Sequence, residues 1–489
     1  MSGKSKFFDY EPLSQPKASR RGVPQAEDGF QRRPVSGLTS DKASSFERDS
    51  IDREARHQQN VTGTSSFSGI LKRGHTLSFF GLFLFTTMLY VRPYETFPSL
   101  AWTKGITFWI ALATIVAYVP TQLGVDGSLT IRPREVNLVL LFFVCVMLSI
   151  PLASEVQTAW NSATDYIKVV LMFVVLVNVV RSELRLKLLI LLVLLVSCGM
   201  SIAAINDYRL GNLASNGERI KGIIGGMFDN PNDLALHLVT IVPIAISLVF
   251  ASRAGLKKLL YLACAFVLVA GVVVTFSRGG FLGLVCMGGT LFWRIARRNK
   301  WMIMLAPFIL VAFVALAPGG YGKRLATTSD GSAEARTDDL KRSIFIAVRH
   351  PLLGVGMGNY VLYSNKEHAS HNAYTQVASE LGLTAFVIYV LFQIAAIKDL
   401  RRITRETAAK GPNSRYHYLA IGLEASLVGY MVSSFFASVA FLWYVYYLVG
   451  YAVCLRRLHA ASEFREPRLT ETDPAKQTVA AKVPLATVG

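Results

Sequence analysis

KLLILLVLLVSCGMSIAAIN, residues 187–206, carries no charge after Lys187, and its length decides the fold. At 1.5 Å per residue, a helix of this length reaches about 30 Å, the thickness of a bilayer's hydrocarbon core. Lipid offers no hydrogen bonds to an open backbone, so such a block is read as a helix; barrel strands are shorter and alternate in polarity. Working outward, comparable blocks occur at 76–92, 104–121, 136–152, 164–180, 233–251, 258–276, 279–294, 301–318, 373–397, 416–434 and 437–456. The chain therefore reads as all-α, a polytopic transmembrane helical bundle of about twelve spans. The last two blocks run on without Pro or charge after Glu424, and a reversal is expected near Ser433 to Ser438.

Composition agrees: 52% of the 489 residues are hydrophobic and the mean hydropathy is +0.39. In a soluble protein the net charge of +19 would suggest a nucleic-acid partner. Here most of the excess sits in alternate short connections, at Arg132 and Arg134, Arg181 to Lys187, Arg253 to Lys258, Arg294 to Lys300, and Lys398 to Arg415. That is the positive-inside pattern, with no nucleic acid implied, and it places both termini in the cytoplasm. All five cysteines lie in apolar blocks, which argues against disulfides and Cys-bound metal.

Residues 1–74 are rich in Ser, Arg, Asp, Gln and Pro and lack apolar periodicity, so they read as a disordered cytoplasmic tail. Asn60-Val61-Thr62 in that tail is a chance sequon. No cleavable signal peptide is visible, and the first block is expected to serve as an uncleaved anchor. The expected organisation is a tail over 1–74, a membrane domain over 75–456, and a cytoplasmic tail over 457–489.

Two external connections stand out, 207–232 and the longer 319–372 between spans nine and ten. In the second, Thr337-Asp338-Asp339 is expected to cap a helix along the outer membrane surface, with Leu340, Ile344 and Val348 on one side and its end set by Pro351. External connections are normally poor in cations, yet Arg219, Lys221, Arg278, Arg336, Lys341, Arg342 and Arg349 lie there. Cations kept against the topology signal call for anionic partners. Arg278 is the sharpest case, since Ser277-Arg278-Gly279-Gly280 separates two apolar blocks at a tight reversal; the competing reading is an arginine snorkelling to lipid headgroups. For Lys341, Arg342 and Arg349 a solvated or headgroup-facing role is the simpler reading.

His350, His368 and His371 also fall in the second loop. Their irregular spacing is a poor metal signature, but His371, just ahead of a span, can accept a proton from a hydroxyl nucleophile. Gly354-Val355-Gly356-Met357-Gly358 looks like a phosphate loop, although it follows no strand and faces away from cytoplasmic nucleotides, so it reads as a flexible turn. Asp229-Asn230-Pro231-Asn232-Asp233 reads as a turn and helix cap. Lys168, His237, Glu380 and Glu424 are polar groups within spans, either functional or paired between helices.

Asn230-Pro231-Asn232, Ser277-Arg278-Gly279-Gly280, Arg336, His350-Pro351-Leu352-Leu353-Gly354-Val355-Gly356, His371-Asn372 and Glu380-Leu381-Gly382 occur in that order. Over about residues 76 to 456 this series resembles the bacterial O-antigen ligase and Wzy-type polymerase superfamily. The resemblance implies a metal-independent, inverting glycosyl-transferring enzyme of the bacterial inner membrane, with no cofactor and no nucleotide sugar. Its donor would be a glycan on undecaprenyl diphosphate at the periplasmic face. Its acceptor would be a hydroxyl or amide on a glycan, lipid A core or protein, with membrane lipid as surroundings.

By position, Arg278 and Arg336, and with a weaker match Arg219, would hold the diphosphate. His371 would serve the acceptor, with Asn372, Tyr374 and Glu380 in support. The chemistry is consistent: displacement at an anomeric carbon needs an activated hydroxyl and stabilisation of a leaving diphosphate. Arginine's fork suits phosphate better than lysine's point charge. The leading expectation is a ligase. A repeat-unit polymerase would use the same donor, and a lipid-linked oligosaccharide flippase would instead carry inverted repeats and broken, charged spans.

Overall fold

Every span drawn from the sequence falls on a helix except 301–318, which lies outside the described part of the chain. The computed structural model describes residues 75–96, 98–213, 220, 228, 230–296, 331–364, 370–409 and 415–465, all within the unit Ser66–Gly489. The tail 1–74, its sequon, Arg219, Lys221 and His368 also lie outside these residues.

The long helices are α1 (75–91), α2 (Ile106–Asp126), α3 (Arg134–Ser149), α4 (Val156–Val179), α5 (Glu183–Leu210) and α6 (Pro231–Ala251). They continue with α7 (Gly255–Val274), α8 (Arg278–Ala296), α9 (Gly331–Arg349), α10 (Ala373–Ala409), α11 (Arg415–Ser433) and α12 (Trp443–Arg465). Among the described residues nine helices are long and apolar enough to cross a membrane: α1 to α7, α10 and α11. The protein is a multi-pass helical membrane protein. α8 and α12, which carry Arg278 and Arg294 in one and Arg456 and Arg457 in the other, are not among the nine.

α11 lies at the centre, packed against α6, α8, α10 and α12. Small residues permit the approach. A Cβ on Gly422 would stand 2.5 Å from Ser247 Oγ, and one on Gly429 2.9 Å from a methyl of Val239. Such close backbones are how helices gain contact in lipid, where no hydrophobic force drives them together. The expected reversal after α11 is present: the helix ends at Ser433, a 3-10 turn follows over Ser434–Phe436, and α12 begins at Trp443. α12 runs past the expected limit of 456 to Arg465, because the segment after Arg457 is polar but made of good helix formers.

Three buried carboxylates inside the bundle are paired with arginines. Glu424 is fully buried and receives Arg294 Nη2 at 2.6 Å and Arg401 Nε at 2.7 Å. Buried Glu135 and Asp399 are held by Arg456, and Arg134 adds a 3.2 Å contact to Asp399. For Glu424 the pairing of helices expected as one alternative is therefore what the fold contains. His237 likewise is buried and shares a hydrogen bond of 2.8 Å with Ser197, while Lys168 reaches Asp165 on its own helix at an exposed site. Arg294 lies 16 residues along α8 from Arg278, so the paired cluster and Arg278 are about 24 Å apart along the axis.

Candidate active site

Arg278 is the first residue of α8, and its position is set by the turn before it. Phe276 has φ +51°, a conformation unusual for a bulky residue and often found at functional sites. Ser277 then caps the helix: its Oγ accepts from Gly280 N at 3.2 Å and donates to Asn232 Oδ1 at 2.8 Å. Asn230 in turn caps α6, accepting from Asn232 N at 2.9 Å, as expected of the Asn-Pro-Asn turn. The two glycines allow close contact. A Cβ at Gly279 would lie 2.7 Å from the Cβ of Phe436, and one at Gly280 2.6 Å from that of Ala235.

His371 precedes α10 and also has φ +51°. Asn372 caps this helix, its Oδ1 accepting from Tyr374 N at 2.9 Å and Thr375 N at 3.2 Å. Tyr374 ties the helix start to the end of α11 by donating to Met431 O at 2.9 Å. Its ring lies beside that of Phe435.

These elements enclose a cavity of about 250 Å³ lined by Arg278, Arg336, Leu340, His371, Asn372 and Phe436, with Thr337, Ser370 and Phe435 completing the wall. Four of the residues singled out from sequence, Arg278, Arg336, His371 and Asn372, thus meet in one cavity, although they come from three separate segments. Burial, and then the Arg278 guanidinium beside it, lower the Arg336 guanidinium below its ordinary value. An anion between the two guanidiniums would relieve that repulsion. The positive ends of α8 and α10 border the same space and favour negative charge there. Asn372 is buried, and its Nδ2 has no hydrogen-bond acceptor among the described residues, leaving a donor at the wall for a ligand oxygen.

Glu380 and Tyr374, expected in support, are not among the residues that line the cavity. α10 is broken at Gly382, whose φ of 85° and ψ of 171° are not helical and belong to a region open essentially to glycine. The break releases backbone groups that would be costly to leave unbonded inside an apolar span. Gly354-Val355-Gly356-Met357-Gly358 and the residues before it satisfy them. Val355 N donates to Ser379 O at 3.0 Å, Gly356 N to Glu380 O at 2.9 Å, and Leu383 N to Pro351 O at 2.7 Å. Gly358 N donates to the buried Glu380 carboxylate at 2.9 Å. The segment expected to be a flexible turn is a clasp, because each of its glycines has positive φ and its amides face a helix that lacks its own partners.

Gly382→Ala would put a Cβ 2.4 Å from Leu352 O and would also force an unfavourable backbone region costing about 1–3 kcal/mol. A clearly lowered melting temperature of the detergent-solubilised protein is expected; unchanged melting would show that the clasp is not tight.

α9 begins at Gly331 rather than at the expected cap near Thr337-Asp338-Asp339, and it ends at Arg349 ahead of Pro351. Arg336 therefore sits inside a helix. Ile346 and Ala347 are buried against the fold, whereas Ile344 and Val348 face outward. His350 lines a different cleft on α9. Phe435 and Phe436 were not among the residues sequence reasoning singled out, because nothing local sets them apart from the apolar block that contains them.

Residues 263–390 match the model of the O-antigen ligase family, Wzy_C. Arg278, Arg336, His371, Asn372, Glu380 and Gly382 lie within that stretch, while Phe435 and Phe436 lie beyond it. No curated protein matches the chain.

Proposed function

We propose that this chain, whose residues 263–390 match the O-antigen ligase family model, is a glycan ligase. It moves a saccharide from undecaprenyl diphosphate to an acceptor at the periplasmic face of the bacterial inner membrane. The observation that carries the reading is the shared cavity of Arg278, Arg336, His371 and Asn372, which joins two guanidiniums and an imidazole inside the matched stretch.

Both termini lie in the cytoplasm in this reading. The paired arginines Arg134, Arg294, Arg401 and Arg456 mark the cytoplasmic helix ends by the positive-inside pattern. Arg278 is at the opposite end of α8 from Arg294, which puts the cavity on the outer side.

His371 takes the proton of the acceptor hydroxyl as the oxygen attacks the anomeric carbon. The new C–O bond forms on the face opposite the departing diphosphate, inverting the centre. The bond to the diphosphate oxygen breaks, and its electron pair leaves with that oxygen. Arg278 and Arg336 hold the leaving diphosphate as its charge grows. Because a diphosphate is a good leaving group, no protein acid is required. The Asn372 amide donates to a donor or acceptor oxygen at the wall.

A polymerase would use the same donor, and a deletion strain distinguishes the two. Loss of a ligase leaves full-length glycan on the carrier lipid and none on the final acceptor. The opposite pattern, single repeat units on the acceptor, would replace the ligase reading with the polymerase one.

A further inference from the structure

α9 borders a second, larger cleft that the transfer reaction does not use. Its volume is about 620 Å³, and its lining includes Asp338, Lys341, Arg342, Phe345, Arg349 and His350. Positions 338, 341, 342, 345 and 349 follow the i, i+3, i+4, i+7, i+11 pattern and so share one stripe of the helix. That stripe lies roughly opposite the Arg336 and Leu340 side at 100° per residue. Three permanent cations face one carboxylate there, Asp338, which lies 3.9 Å from Lys341 with both side chains well exposed.

Two of the cations are oriented. Arg342 Nη1 donates to Tyr363 O at 2.8 Å, which leaves the rest of its fork for other acceptors. The Arg349 guanidinium stands over the Phe345 ring, 5.4 Å from its centre. Beside the cations lies a strip of outward apolar side chains: Ile344 is 49% exposed, Phe345 60%, Val348 70% and Leu352 74%. A soluble anion would account for the cations but not for the strip. Apolar groups next to cations on one amphipathic helix suit the surface of an anionic bilayer.

We propose that this cleft binds the phosphate of an anionic membrane phospholipid, with Lys341, Arg342 and Arg349 on the headgroup and Ile344, Phe345 and Val348 against its acyl chains. The site is independent of the transfer reading. It has a bearing on it, because the helix seated by the lipid also carries Arg336 and Leu340 of the other cavity.

The test uses the full chain with Phe345→Trp in phosphatidylcholine nanodiscs, read against the unsubstituted chain to remove the signal of its native tryptophans. Brominated phosphatidylglycerol and brominated phosphatidylcholine are compared as quenchers. An apparent preference for the glycerol lipid of at least about tenfold is expected, well within the roughly hundredfold that three cations near an anionic surface can produce. Lys341→Gln combined with Arg349→Gln should remove it, with Arg342 kept because it anchors Tyr363. In chains without the added tryptophan, the double variant should also retain less phosphatidylglycerol after detergent washing.

Equal quenching by the two lipids, or unchanged retention in the double variant, would overturn the proposal. So would protection of the tryptophan by inorganic phosphate or by tetragalacturonate in lipid-free detergent, since either would mark a soluble anion or an acidic saccharide as the ligand. None of these readings depends on catalysis, so failure here leaves the transfer reading standing, and the reverse also holds.

Discussion

His371→Ala is expected to lower glycan transfer by about 10²–10⁴-fold, the range that a positioned acid or base supplies. The substitution isolates the imidazole for a structural reason. His371 has φ +51°, and alanine meets nearly the same backbone penalty there, so the chain before α10 keeps its strain and its shape. Asn372 continues to cap the helix through Tyr374 N and Thr375 N. The purified variant should therefore elute and melt as the parent does while failing to release carrier diphosphate from a lipid-linked donor. Binding of the donor should change little, because the diphosphate contacts are assigned to arginines. Full turnover by a well-folded His371→Ala protein would remove the imidazole from the mechanism and leave the acceptor to be activated in another way.

The second large effect is expected from Arg278→Lys, a loss of turnover on the order of 10²–10³-fold, as for removal of one donor from a site that stabilises developing charge. Lysine keeps the charge but not the planar pair of donors that matches two phosphate oxygens. Its flexible stem also starts from a helix end that cannot adjust, since Gly279 and Gly280 are wedged against Phe436 and Ala235. The loss should appear mainly in turnover, because the charge on the diphosphate rises as the anomeric bond breaks. Arg336→Lys should follow the same trend, since Arg336 faces the same cavity. Near-normal rates for Arg278→Lys would instead favour an arginine that reaches lipid headgroups and takes no part in transfer.

Much of this arrangement was legible in the chain before any coordinates. Uninterrupted apolar runs place helices because lipid leaves the backbone no other partner, and Arg278 and His371 stood out as polar residues beside such runs. Arg336 was legible as a cation on the wrong side of the charge pattern, although its helix begins six residues before the Thr337-Asp338-Asp339 cap. Local capping signals lost to tertiary context there, since α9 is packed on α10.

The clasp was not legible. A broken helix with its amides and carbonyls satisfied by Gly354 to Gly358 depends on pairing between segments more than twenty residues apart. Glycines in a row suggest freedom until the partner surface is known. Phe435 and Phe436 were hidden for a similar reason: an aromatic pair in an apolar run carries no mark of which space it will border. Glu424 shows another limit: the sequence left a functional group and a pair between helices equally open, and Arg294 and Arg401 beside it decide for the pair.

The left-handed backbone at His371 sets stability and chemistry against each other at a single position. An imidazole-bearing residue is held where glycine would sit at ease, at a cost of roughly 1–2 kcal/mol. Any drift toward glycine would make the protein sturdier and remove the imidazole proposed to take the acceptor's proton. Selection for robustness alone would thus act against the imidazole, and a sturdier form without it lies one substitution away.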